Sequence, residues 1–334
     1  MMRRTVLQLA FSGLLTVIAA MTAVVATPHT VYAQDNEWPK AKPIKLLTGV
    51  RVGHAPDVGL RRLAEQLSQE LGQTIYVENK PSAGGMLVMR TLKQAAPDGY
   101  TLNGTFWNYL TLAPSMFKNV DYDTLADFDM IGLWSEGHNV IVANPASGID
   151  SIAALRAAAA KAPQLMQYGS PGIGAPGHLL MEFALDKAAI KLEHVPMGDK
   201  LVTSLMSGQI NIAITGIHDV AQLINDGKLL AIGVTSRERL HALPKVKTLV
   251  EQGIESADQP IWAGLIGPKG MPPEVVAKLQ AALRKVASKP EFIEYNRSVG
   301  RNLTVSTPDE MRSRVQREMP VWAATIKRLG LEQK

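Results

Sequence analysis

Residues 167–179 read QYGSPGIGAPGHL, and within them GIGAPG (172–177) matches Gly-x-Gly-x-x-Gly, the phosphate-loop pattern of dinucleotide-binding proteins. That chemistry needs a hydrophobic strand before the loop, a helix after it, and an acidic residue about 20 positions on for the ribose. A helix pattern follows, and Glu193 stands at about the right distance. The rest of the match fails, because Pro176 falls where the helix would begin its phosphate contacts and the preceding MQYGS is short and polar. What survives is geometry. A glycine-rich turn from strand to helix presents backbone N–H groups and the positive end of a helix dipole, which suits an anion of any kind. GVRVGHAPDVG (49–59) makes a second such turn after the first strand. Two anion-receiving loops, one per domain, describe a cleft that grips an acidic solute from both sides.

Outward from these loops, short apolar runs alternate with helical patterns, which predicts an α/β fold with largely parallel sheets. IKLLTGV (44–50) reads as a buried strand, and the next segment places Leu60, Leu63, Ala64, Leu67 and Leu71 on one helical face before Gly72 stops it. TIYVEN, YTLNGTF, FDMIGLW, NVIVANP, LMQYGS, LEHVP, INIAITG, LLAIGVTS and IWAGLIGP supply further strands, and a helix is expected from Gly177 to Ala189. Pro272-Pro273-Glu274 opens one C-terminal helix. Thr307 caps another, with Pro308 at its first position and Glu310 closing a capping box.

The N-terminus carries Arg3 and Arg4, a long uncharged stretch and the small-residue site Val31-Tyr32-Ala33, the pattern of an export signal cleaved after Ala33. Removing 33 of the 334 residues leaves 301, suited to two domains of about 150 residues. It also leaves 33 of the 35 Lys and Arg against 30 acids, a net charge of +3. These charges are dispersed and aromatics are few, so nucleic acid is not expected as a partner. There is no cysteine, which excludes disulfides, thiolate catalysis and cysteine-based metal sites. The seven histidines form no close ligand spacing, so neither a metal nor a cofactor is expected. A hydrolase would start from Ser170 with His178 or His194 as base and Asp199 as acid. The Gly-x-Ser-x-Gly elbow is absent, however, since Gly169 directly precedes Ser170 and Pro171 follows it. The expectation is a protein that binds and does not catalyse.

Several stretches resemble the Bug family, the periplasmic solute-binding proteins of tripartite tricarboxylate transport systems. They include WPKAKPIKLL, Asp57 with Arg61, LGQTIYVENKPSAGG, APDGYTL, VDYDTLADFDMIG, YGSPGIGAPGHL, HVP, SGQINIAI, GKLLAIGVTSRERL, WAGLIGPKGMPPEVV, TPDEM and a late Trp322, in family order. The resemblance implies two α/β domains of the type II periplasmic binding fold with a ligand cleft between them, closing by hinge motion. Crossovers are placed near 134–140 and 256–263, giving a first domain of 34–137 and 263–334 and a second of 138–262. It further implies a monomer that captures a small carboxylate, mainly on backbone amides, and delivers it to membrane permease subunits. A receptor that signals to a membrane kinase without transport is the alternative.

Candidate ligand residues are Val52, Gly53, His54 and Asp57 in the first loop; Thr105, Trp107 and Asn108 after the third strand; Ser170, Gly172, Gly174, Ala175 and His178 in the glycine-rich loop; and Met197, Gly198 and Asp199 beyond HVP. Asp57 can equally cap the first helix and pair with Arg61. Trp107 and Tyr109 either offer an aromatic cleft surface, favouring an aromatic or extended apolar acid, or pack beneath the loop. The chain departs from the family pattern at Val52-Gly53-His54, at Ala175 and at Met197-Gly198-Asp199, so ligand identity does not carry over.

Overall fold

The computed structural model describes residues 38–161, 166–255 and 259–332. The export signal read at 1–33 lies outside them.

Among the described residues, eleven strands form two sheets. They are β1 (Ile44–Thr48), β2 (Ile75–Asn79), β3 (Thr101–Phe106), β4 (Phe128–Gly137), β5 (Asn139–Ala143), β6 (Gln167–Ser170), β7 (Glu193–Pro196), β8 (Ile212–Gly216), β9 (Leu230–Val234), β10 (Ile261–Pro268) and β11 (Arg301–Asn302). The first sheet runs β11-β4-β10-β3-β1-β2 and the second β7-β6-β8-β5-β9. Their plans correspond. Three parallel strands (β2-β1-β3; β7-β6-β8) are followed by one that enters from the other sheet and runs antiparallel to both its neighbours: β10 between β3 and β4, β5 between β8 and β9. Both sheets are therefore mixed, where the strand–helix rhythm predicted largely parallel ones. The inserted strands must run backwards because each arrives directly from the opposite lobe.

The two crossings lie side by side. His138 alone separates β4 from β5, and the Thr235 hydroxyl just past β9 accepts the Asn139 N–H at 2.9 Å while the Thr235 N–H donates to the Asn139 carbonyl at 2.9 Å. Across the return, Ile261 of β10 pairs with Gly137 of β4.

Strand pleating sorts the core. Ile44 and Leu46 of β1 face one cluster with Leu60, Leu63 and Leu67, while Leu47 faces another. In β5, Val140 and Val142 face a third cluster, and Ile141 and Ala143 join Leu47 in the one shared by both lobes. Fully burying each such side chain contributes roughly 1.5–3 kcal/mol. The first helix, Ala55–Leu71, buries Leu60, Leu63, Ala64 and Leu67 and ends at left-handed Gly72, with Leu71 half-buried. The C-terminal helix Pro308–Arg328 reaches both lobes. Its buried Trp322 lies with its ring centroid 5.0 Å from that of Trp107 in the first lobe and 6.1 Å from that of Phe183 in the second.

That helix begins with the expected capping box: the Thr307 hydroxyl accepts the Glu310 N–H at 3.1 Å, and the Glu310 carboxylate accepts the Thr307 N–H at 2.7 Å. Thr307→Ala should lower stability by about 1 kcal/mol, read as an earlier urea midpoint with an unchanged slope.

Candidate functional site

The loop after β1 turns through Gly53, whose φ of +82° suits glycine. Its N–H donates to Asp57 Oδ2 at 2.9 Å; the same oxygen accepts Arg61 Nε at 3.0 Å, and Oδ1 accepts Asn79 Nδ2 at 2.7 Å. Burial alone would raise the Asp57 carboxyl, but Arg61, Asn79 and the Gly53 amide together hold it below its ordinary value. Asp57 is 1% exposed, and with its oxygens so engaged it braces the loop. Of the two roles open to it in the sequence, the geometry favours the structural one.

The glycine-rich loop between β6 and the helix Pro176–Ala188 repeats this device. Gly174, at φ +69°, donates its N–H to His178 Nδ1 at 3.0 Å. In each lobe a buried side chain in the first turn of the helix thus reaches back four residues to hold the amide of a left-handed glycine. Accepting that hydrogen fixes His178 as a neutral ring protonated on Nε2. The Gly172 N–H donates to Ser170 Oγ at 3.1 Å, and the Ala175 N–H to the Gly172 carbonyl at 3.2 Å.

This corrects the expectation that the glycines offer free amides: those of Gly172, Gly174 and Ala175 are consumed inside the loop. The donors left over are Ile173 and, in the first helical turn, Gly177 and His178, which have no intrahelical acceptor.

Behind the loop, Ser170 Oγ lies 2.6 Å from His194 Nε2, and the His194 ring stacks on His178 with centroids 3.8 Å apart. This is the serine–histidine pair weighed for hydrolysis. Ser170 is fully buried and its oxygen already accepts the Gly172 N–H. Burial and the neighbouring His178 pull His194 down to about 4, a poor base near neutral pH. No carboxylate bonds to His194 among the described residues, and Asp199 is exposed on the short Gly198–Lys200 turn. The pair has the form of a support for the loop.

Two cavities open between the lobes and share Asn108 and Pro176. One, of about 220 Å³, is lined by Trp107, Ser135, Trp262 and Arg301, with Pro176 reaching in from the second lobe. The other, about 640 Å³, runs between Met116 and Phe117 on one side and Gly172–Pro176 on the other. Of the sequence candidates, Trp107, Asn108, Gly172, Gly174 and Ala175 line these cavities. Trp107 is buried, and so is Tyr109, yet both lie in the wall of the smaller one. Thr105, Ser170 and His178 are buried and line neither, and Val52, Gly53, His54, Met197, Gly198 and Asp199 also lie outside both.

Sequence reasoning missed Ser135, Gly137 and Ile261–Ala263. The predicted crossovers held the signal, since residues at a crossing must border the space between the lobes. Arg301 had no such signal. A wider groove of about 940 Å³ lies across the crossovers, and part of its charge is paired within the protein: Arg314 with Glu136 and Glu318, and Arg239 with Glu251. Among the described residues no cluster of three or more acidic or histidine side chains suits a metal, and no helix is long and apolar enough to cross a membrane.

His194 takes up its proton near pH 4 when folded and near its ordinary 6.5 when unfolded. Its neutral form therefore supports the fold fully above about 6.5, and this support drains away as the pH falls towards 4. The thermal midpoint should fall across that window, and His194→Asn should flatten the slope.

The family model of the tripartite tricarboxylate transporter family receptor matches residues 60–331. A UPF0065 protein of Bordetella pertussis is 30% identical over 296 residues, 87% of this chain and 91% of that protein. The structure of the periplasmic binding protein BugD is 28% identical with a TM-score of 0.74, covering 88% of this chain and 99% of that one. A Rhodopseudomonas palustris protein, solved with adipate, has the same fold at 22% identity and a TM-score of 0.76, covering 88% of this chain and 98% of that one. With a sheet plan of two matched α/β lobes and a cleft between them, the chain belongs to the tripartite tricarboxylate transporter receptor family of solute-binding proteins.

Proposed function

We propose that this protein is exported to the periplasm with its signal cleaved after Ala33, captures a small organic carboxylate between its lobes, and delivers it to the permease subunits of a tripartite tricarboxylate-type transporter. The observation that carries this reading is the pair of cavities meeting at Asn108 and Pro176, bordered by the loops and crossovers of both lobes. The lobes divide into residues 34–137 with 263–334 and residues 138–262, and the crossovers near 134–140 and 256–263, adjacent where Ile261 pairs with Gly137, serve as the hinge. A cavity that spans such a hinge couples occupancy to closure, because only the closed form presents both walls to the ligand.

Within the site, the braced loops hold their shape without the ligand. Of the unspent amides, that of Ile173 borders the larger cavity, and it meets a carboxylate there at the start of a helix, a charge-assisted bond contributing roughly 1.5–3 kcal/mol. Asn108 stands where the cavities join and supplies a side-chain amide from the first lobe. No covalent chemistry is assigned to the site.

Mass spectrometry of the small molecule released from the natively exported protein should yield a carboxylate, and citrate, C4–C6 diacids or benzene carboxylates should raise the thermal midpoint. A neutral sugar as the only bound species would sink the reading. Gly174→Val places a branched side chain at φ +69° with its Cβ 3.0 Å from Met116. It should weaken ligand binding at least tenfold by calorimetry while the circular dichroism spectrum is retained; unchanged affinity would remove this loop from the site.

A further inference from the structure

Arg301 lies on the short edge strand β11, opposite Gly137 at the end of β4, and it lines the 220 Å³ cavity. Among the described residues its guanidinium makes no ion pair or hydrogen bond. It contrasts with Arg314, a neighbour at the crossovers, whose guanidinium is held by two glutamates. Arg301 is only partly exposed, and an arginine so placed is normally paired, because withdrawing its charge from water without a partner is costly. Burial pulls its pKa below the ordinary value, with Tyr295 opposing.

The surroundings are built to admit it. The guanidinium passes over the helix Ala55–Leu71 at Gly59, where a Cβ would stand 2.5 Å from Arg301 Nη1 and 3.6 Å from Trp134. Any side chain at position 59 would displace the arginine, so the helix carries glycine in mid-course despite its cost to helix stability. Around the charge, the cavity wall is chiefly aromatic and aliphatic: Phe106, Trp107, Ile261 and Trp262 contribute to it, with Pro56 and Pro176 at helix starts. At about 220 Å³ it falls below the range of roughly 300–1,000 Å³ typical of drug-sized ligands.

Resting on the carboxylate-capture reading, we infer that Arg301 is the counter-charge of the ligand's carboxylate and that the apolar cavity beside it selects a monocarboxylate with a compact hydrophobic body, an aromatic or short aliphatic acid. The guanidinium fork receives the carboxylate in the bidentate manner that arginine favours. Beyond Arg301 this cavity offers only the neutral Asn108, Tyr109 and Ser135 and no second cation, so a dicarboxylate is disfavoured by the cost of burying its far charge.

Calorimetric titration of the exported protein with benzoate, hexanoate, adipate and citrate, and with benzamide and hexanamide as uncharged isosteres, tests this in wild type, Arg301→Gln and Arg301→Lys. At least one monoacid should bind wild type more tightly than adipate and citrate, and at least tenfold more tightly than its own amide. Arg301→Gln should remove that preference over the amide, and Arg301→Lys should restore part of it. The lysine rescue and the acid-to-amide ratio separate charge recognition from packing, since a purely structural arginine would weaken acid and amide alike. Equal loss of both, or an unchanged acid affinity in Arg301→Gln, overturns the inference. Binding of adipate or citrate without either monoacid overturns the ligand class while leaving carboxylate capture intact. If none of the four acids binds, the capture reading fails as well.

Discussion

The site depends on one interaction made twice: the amide of a left-handed glycine held by a buried side chain four residues later. Gly53 with Asp57, and Gly174 with His178, fix the two strand-to-helix turns that border the space between the lobes. Loops rich in glycine lose more conformational entropy on ordering than others. A ligand that had to organise them would spend much of its binding energy doing so. Here the fold has already done it, and the amides near each brace are oriented before any solute arrives.

The two braces differ in chemistry. Asp57 is anionic, with Arg61 and Asn79 sharing its charge, and stays so at any ordinary pH. His178 must be neutral to accept the Gly174 N–H, and burial beneath its stacked partner His194 keeps it so. The second loop is therefore supported by neutral groups, which suits the proposed carboxylate ligand, since an acidic brace would repel it. The first loop can tolerate an acid because Arg61 and Asn79 neutralise and absorb it away from the cavities.

Much of the architecture was legible because periodicity and punctuation are local. The apolar face from Leu60 to Leu67, the stop at Gly72 and the capping box at Thr307 all read correctly from residue types a few positions apart. The antiparallel insertion of β5 and β10 was not legible in that way, since strand direction is set by the path between lobes and leaves no mark on composition. Site residues divide similarly. Gly172 and Gly174 stood out as candidates by their glycine-rich loop and Asn108 by its place after the third strand, and all three line a cavity; their hydrogen-bond state was not legible, since whether a glycine amide is free depends on a rotamer of His178. Arg301 looks like any surface arginine in sequence, and only the fold of β11 beside β4 carries it beneath the first helix. His54 and Asp199, conspicuous as departures from a family pattern, prove to line neither cavity.

The C-terminal helix has a consequence of its own. Trp322 is buried between Trp107 of one lobe and Phe183 of the other, so its indole lies at a seam that any change of inter-lobe angle must shear. Ring–ring geometry and local polarity there would change together as the angle changes. The protein thereby carries an optical gauge of its own posture, an intrinsic fluorophore seated at the seam between the lobes and one ring removed from the cavity wall at Trp107.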